Sequence, residues 1–354
     1  MKNKFDYLTS LRGLAALWVM LYHLREYIGL DVILKHGYLA VDFFFILSGF
    51  VLALTYQEKI VNAGHNKIAI IGGFYVKRIA RIFPLHLFVL ILMLVTFLII
   101  NGIKSNDILV GRFALDAFFQ QLFLVQNWGF TERLVWNVPS WSISTEIMAY
   151  IVFPFIVMST NKWGVFVRTI TVIFLLLIVA TIFFLSNADN IGDKIPQLGV
   201  YRCLVEFSLG VYVYSLYQQK AMLVSSGKVV GLILLLVIGL LFVDVPNYFY
   251  VPLLLLLVFY WVINVDEKYT KCLCNPALLW LGDISYSIYL IHYFAKDLLK
   301  FSVSDLSLIG ATELVVYFTV VIIASHLTYK YVEMPGKSGV LNCFFKCKSR
   351  ILSN

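Results

Sequence analysis

Charge is what this chain has least of. Only 14% of its 354 residues are Asp, Glu, Lys or Arg, where a soluble domain carries roughly 25%. With 61% hydrophobic residues and a mean hydropathy of +0.86, that deficit places the chain among polytopic helical membrane proteins. Period-2 alternation is missing as well. The runs 87–100, 170–185, 229–243 and 314–324 are continuously apolar, which argues against a transmembrane β-barrel and against amphipathic surface helices. The five cysteines lack the spacing of a disulfide scaffold. No small-residue cleavage site follows the first apolar run, so that run is expected to remain as an uncleaved transmembrane helix. No loop approaches domain size, and neither repeats nor low-complexity linkers occur. One integral membrane domain over 1–335 and a cytoplasmic tail over 336–354 are expected, and any soluble partner would be another chain.

What is present is a succession of spans, each needing about 20 residues. They fall at 8–28, 38–56, 82–101, 141–158, 166–186, 198–217, 228–244, 248–264, 278–298 and 309–331, ten in all. The apolar stretch 113–126 is short and carries Asp116, Gln120 and Gln121. It reads as a re-entrant or interfacial helix. With the N-terminus in the cytoplasm, the loops on that side hold about twice as many Lys and Arg residues as those opposite. Both termini are therefore expected in the cytoplasm. The net charge of +8 is then a topology signal and not a nucleic-acid footprint. The fold class is an all-α polytopic bundle of about ten transmembrane helices plus the re-entrant element.

Ionisable residues interrupt the apolar cores of the first two spans, Arg12 and His23 in the first and Asp42 in the second. Such groups at membrane depth cost free energy and usually face a bundle interior or a watery cavity. Arg12 and His23 stand on one helix face, about 16 Å apart along the axis at 100° and 1.5 Å per residue. On the ninth span Ser285, Tyr289 and His292 follow i, i+4, i+7 and share a face. The topology sorts the polar residues by depth. His23, Asp42, Glu146, Tyr289 and His292 collect toward the outer half; Arg12, Lys77, Arg78 and Arg81 collect toward the cytoplasmic mouth. A basic inner mouth suits a multiply anionic donor. An outer histidine near carboxylates suits general-base chemistry. The alternative is that these groups only tie helices together.

The motifs carry a resemblance. Leu11-Arg12-Gly13-Leu-Ala-Ala followed by His23, then Gly37-Tyr38-x-x-Val41-Asp42-Phe43-Phe44-Phe45-Ile46-Leu47-Ser48-Gly49-Phe50, is similar to the opening of the acyltransferase family 3 membrane proteins. Phe74-Tyr-Val-Lys77-Arg78-Ile-Ala-Arg81-Ile82-Phe83-Pro84-Leu85 resembles that family's basic segment. Trp136-Asn-Val-Pro139-Ser140-Trp141-Ser142-Ile-Ser144-Thr-Glu146 resembles its Trp-Ser-x-x-x-Glu segment. Gly282-x-Ile284-Ser285-Tyr286-Ser287-Ile288-Tyr289-Leu290-x-His292 and Val332-Glu333-x-Pro335 complete the set. Thr9-Ser10 stands where an acidic residue often precedes Leu-Arg-Gly, and His86 where a tyrosine often follows Pro-Leu.

The resemblance implies transfer of an acyl group, usually acetyl, from cytoplasmic acyl-CoA to a sugar hydroxyl on the far side, with no metal. The family's essential residues carry over onto Arg12, His23, Arg78 and Arg81. Arginine suits the three phosphates of coenzyme A, so Arg78 and Arg81, helped by Lys77, are expected to hold acetyl-CoA or another acyl-CoA. His23 either deprotonates the acceptor or carries the acyl group transiently, with Asp42 or Glu146 orienting it and Arg12 polarising the thioester. Trp141, Ser285, Tyr289 and His292 are expected at the acceptor. Some relatives add a soluble esterase-like domain, which the end of this chain about twenty residues past Glu333 leads us not to expect. The implied partners are membrane lipids, acyl-CoA, a glycan or small hydroxylated acceptor and glycan-synthesis machinery, in a bacterial inner or plasma membrane.

Other residues call for plainer readings. Trp128, Trp136, Trp163, Tyr248 and Tyr250 read as interfacial anchors. Arg202 and Glu206, at i, i+4, read as a buried pair, and His326 as a packing residue. Cys272, Cys274, Cys343 and Cys347 fall on the cytoplasmic side and should be reduced thiols. A rival reading is a transporter or flippase for a polysaccharide or lipid-linked sugar, which also needs polar residues inside a bundle but has no reason to pair a basic mouth with an outer histidine.

Overall fold

A computed structural model describes residues 5–104, 111–219, 239, 245–265, 267–302 and 310–353. Among them the chain is helical, with no strand. The principal helices are α1 (Asp6–Leu24), α2 (Ala40–Val61), α3 (Lys67–Lys104), α4 (Leu115–Leu122), α5 (Ser140–Thr160), α6 (Val165–Leu185), α7 (Ile195–Gln218), α8 (Val251–Asn264), α9 (Pro276–Asp283), α10 (Ser285–Ser302), α11 (Ala311–Thr328) and α12 (Met334–Ser353). Within the described residues, five helical stretches are long and apolar enough to cross a membrane: Gly37–Val61, Gly64–Ile100, Ser140–Thr160, Val165–Leu185 and Ala311–Lys346. The seventh expected span, 228–244, lies outside the described residues but for Gly239. The stretch expected to be re-entrant contains only the eight-residue α4, preceded by a 3₁₀ turn at Gly111–Phe113.

Apolar lipid gives helices little hydrophobic reason to associate, so close packing of small residues takes over. The most extensive pairing is α2 on α7, and it is set by Gly49 and Gly210. A Cβ on Gly49 would strike the Phe207 carbonyl, and one on Gly210 the Ile46 carbonyl. Gly13 does the same for α1 against α9, where Leu281 and the Gly282 amide lie within contact distance. Through these contacts α1, α2, α7 and α9 hold the polar residues of the first two spans inside the bundle.

Two helices depart from simple spans in ways that matter for the site. Helix α3 runs for 38 residues, about 57 Å at 1.5 Å per residue. That exceeds the roughly 30 Å hydrocarbon core, so the basic end with Lys77, Arg78 and Arg81 can stand at a membrane surface. The ninth expected span is not continuous: it breaks at Ile284 into α9 and α10. A broken helix exposes backbone carbonyls that need partners. Arg12 supplies them, donating from Nη2 to the Gly282 carbonyl at 2.7 Å and from Nε to Ser285 Oγ at 3.0 Å. The C-terminal tail is helical too. It continues from α11 through a π turn at Tyr329–Glu333, and α12 packs on α3, with Gly336 against Pro84.

Candidate active site

Among the described residues, two cavities inside the bundle bear on these side chains. The larger, about 560 Å³, is lined by Asp6, Thr9 and Arg12 of α1, Ser48 of α2, Arg78 and Arg81 of α3, Ser142, Glu146 and Tyr150 of α5, and Ser285, Tyr286 and Tyr289 of α10, among apolar neighbours. The smaller, about 250 Å³, is lined by His23, Trp141, Tyr289, Arg202, Lys296 and residues around them. Among the described residues only Tyr289 belongs to both walls. Its hydroxyl lies 2.7 Å from Ser142 Oγ and donates to the Pro139 carbonyl at 3.0 Å, which clamps α10 to the start of α5. Tyr289 therefore stands in the partition between a cavity that holds Arg12, Arg78 and Arg81 and one that holds His23, with Ser142 on the side of the first.

The histidine of the smaller cavity has a partner that sequence order hid. His292 Nε2 lies 3.1 Å from His23 Nδ1. Backbone carbonyls decide the tautomers. His292 Nδ1 lies 3.0 Å from the Ile288 carbonyl, which can only accept, so in the neutral ring Nδ1 carries the proton and Nε2 offers its lone pair. His23 Nδ1 faces that lone pair and the Val19 carbonyl at 3.0 Å, both acceptors. It must donate, which leaves the lone pair of His23 on Nε2. A second histidine thus does what a carboxylate does in many acid–base sites: it fixes which nitrogen of the imidazole keeps its lone pair. Tyr317 anchors the pair by donating to the His292 carbonyl at 2.8 Å.

The carboxylates expected beside His23 are elsewhere. Asp42 is fully buried and bidentate with Arg202, Nε to Oδ1 at 2.5 Å and Nη2 to Oδ2 at 2.6 Å. It does not orient the imidazole, and it displaces Glu206 as the partner assigned to Arg202 from their i, i+4 spacing. Glu146 accepts from the Tyr150 hydroxyl at 2.6 Å and lines the arginine cavity instead of the histidine cavity. The cause is helical phase: Ser142 meets the partition, and Glu146, one turn further along α5, is carried to its arginine side.

The basic residues divide as well. Arg12, Arg78 and Arg81 line the larger cavity, but Lys77 does not. Lys77 is exposed, its ammonium 5.8 Å from the Tyr56 ring centroid. Arg81 forms an ion pair with the fully buried Glu333, which also accepts from Ser287 Oγ at 3.1 Å. Arg78 Nε is buried with no hydrogen-bond partner among the described residues. Of the acceptor-side expectations, Trp141 and Tyr289 line the histidine cavity, Ser285 lines the arginine cavity beside Arg12, and His292 backs His23. Trp136 is not an interfacial anchor: it is fully buried, stacked edge-on to Phe113 and Phe118, and donates to the Ala114 carbonyl. His326 accepts from Trp280 at 3.2 Å.

Comparison with known proteins gives the class. The acyltransferase family 3 model, described as an acyltransferase domain, matches residues 5–330, and the chain belongs to that family. A Staphylococcus aureus protein provisionally named an O-acetyltransferase is 25% identical over 369 residues, which cover 94% of this chain and 57% of that protein. Acyltransferase MdmB of Streptomyces mycarofaciens is 35% identical over 161 residues, 42% of this chain and 38% of that protein. Protein 2 of the picA locus of Rhizobium radiobacter is 30% identical over 198 residues, 53% of this chain and 96% of that protein. The chain spans about 57% of the length of the Staphylococcus aureus relatives it matches. No solved structure matches it.

Proposed function

We propose that this protein is a membrane-embedded O-acyltransferase that moves an acyl group, acetyl by the names of its relatives, from acyl-CoA to a hydroxyl of an exported or cell-surface glycan. The observation that carries the reading is the pair of cavities meeting at Tyr289, one holding Arg12, Arg78 and Arg81, the other holding His23 with His292 behind it. Arg78, with Arg12 and Arg81, holds the anionic donor. Lys77 attracts it electrostatically from outside the cavity. The pantetheine arm brings the thioester toward Ser285 and Tyr289 at the partition. The acceptor hydroxyl enters from the other side and rests against Trp141. His23 Nε2 takes its proton, the oxygen attacks the thioester carbonyl, and the carbon–sulfur bond breaks. The proton passes to the departing coenzyme A thiolate, so charge and atoms balance. In the alternative order, His23 Nε2 takes the acyl group first and the hydroxyl then receives it.

In the same reading about ten helices span the cell membrane, both termini face the cytoplasm, and the donor cavity opens to that side. Glycan-synthesis enzymes would supply the acceptor. The test is mass spectrometry of exported glycans from cells carrying the wild-type chain or His23→Ala. Acyl groups present only with wild type are the expected result. Equal acylation with a folded variant would overturn the reading, and glycan export lost without any change in acylation would favour a transporter.

A further inference from the structure

The histidine cavity has an unbalanced charge. Its walls carry Arg25, Arg202, Lys296 and Lys300 against a single acid, Glu26. Two of those cations are answered locally. Arg202 is matched by Asp42. Arg25 lies 3.4 Å from Glu26 and 3.6 Å from Asp31. Lys296 and Lys300 form no ion pair among the described residues. The acid nearest in sequence, Asp297, is taken by Arg112 at 2.7 and 3.0 Å. His23 and His292 add no negative charge.

Lys296 is the informative one. It is 7% exposed, and its ammonium sits 3.8 Å from the Tyr293 ring centroid. A ring face offsets part of the cost of burying an ammonium, but the three N–H donors still need acceptors. A lysine facing lipid would stretch its charge to the interface; this one is retained beside the cavity that holds His23. The donor does not answer it either, since the arginines of the other cavity serve the donor.

We infer that the acceptor is an anionic glycan, whose carboxylate or phosphate sits against Lys296 and Lys300 while a neighbouring hydroxyl faces His23 Nε2. The inference rests on the acyl-transfer reading and names its acceptor class. It also gives the cavity selectivity: neutral sugars leave Lys296 buried without a counterion, and acidic sugars do not.

The test uses the full chain in detergent micelles with three acceptors: an oligogalacturonate, a sugar-phosphate oligomer and a neutral oligosaccharide of equal length. Acetyl transfer from acetyl-CoA and acceptor binding without donor, read by tryptophan fluorescence, are measured separately. One or both anionic acceptors should be preferred, and which one distinguishes carboxylate from phosphate. Lys296→Gln should lower the anionic-over-neutral preference about tenfold, the scale of one charge-assisted hydrogen bond, and Lys296→Arg should restore it. Equal use of the neutral acceptor by wild type, or an unchanged preference in Lys296→Gln, would overturn the inference alone. Charge-selective binding that depends on Lys296, with no acetyl transferred to any acceptor, would overturn the acyl-transfer reading and leave the cavity a binding site for anionic glycans.

Discussion

His292 Nε2 lies 3.1 Å from His23 Nδ1, although the two residues are 269 positions apart. The contact assigns the proton of His23 to Nδ1 and the lone pair to Nε2. His292→Ala should therefore lower kcat about tenfold or more, yet less than His23→Ala, because in the proposed reaction the latter loses a general base, worth roughly 10²–10⁴-fold. His292→Asn, which can place an acceptor near His23 Nδ1, should recover part of the rate. Steady-state rates at saturating acetyl-CoA check this. Equal rates for wild type and His292→Ala would end the positioning role.

The two arginines of α3 should behave differently. Arg78→Ala removes a cation from the larger cavity and should weaken acyl-CoA binding about tenfold with little change in thermal stability. Arg81→Ala leaves Glu333 buried without its ion-pair partner, a defect that costs roughly 3–5 kcal/mol. Its signature should be a lowered melting temperature as well as lost binding. Acyl-CoA titration and thermal unfolding in the same detergent separate the two effects.

Asp42 is tied to Arg202 and not to the imidazole. Asp42→Asn should destabilise the chain by roughly 3–5 kcal/mol, since it strands a buried guanidinium. The molecules that still fold should keep most of their rate per active chain. A stable Asp42→Asn protein with no activity would instead return the aspartate to the chemistry.

The crossing of α2 and α7 tolerates no side chain at Gly210, where a Cβ meets the Ile46 carbonyl. Gly210→Ala should cost about 1–3 kcal/mol, the usual range for overpacking, and Gly210→Leu should abolish folded yield. Gly164, with nothing near its Cβ position, is the matched control. Size-exclusion profiles of the solubilised variants provide the measurement.

Much of this arrangement was legible in the residues, and the reason is periodicity. Helical phase puts Ser285, Tyr289 and His292 on one face and returns Arg12 and His23 to one side of α1, and these residues do line or back the two cavities. The chain's lack of charge announces apolar helices. Phase within one helix says nothing about its rotation against the next. Asp42 could therefore be placed near His23 in depth while its carboxylate faced Arg202 on α7. Glu146 illustrates the same limit over a single turn, since depth alone cannot tell which side of Tyr289 it occupies. The break at Ile284 was hidden because an apolar run reads the same whether its helix is continuous or not.

The bond between Asp42 and Arg202 also sets a timetable for making the protein. The two residues are separated by 160 positions. At about 5–20 residues per second of synthesis, a ribosome delivers α2 to the membrane roughly 8–30 s before α7 exists. Throughout that interval the aspartate has no guanidinium. Helix α2 must be held, by the insertion machinery or by helices already made, until the later helix arrives. Final assembly of the bundle is thus coupled to translation of its second half, and a ribosome stalled before residue 195 would leave α2 without the partner that retains it.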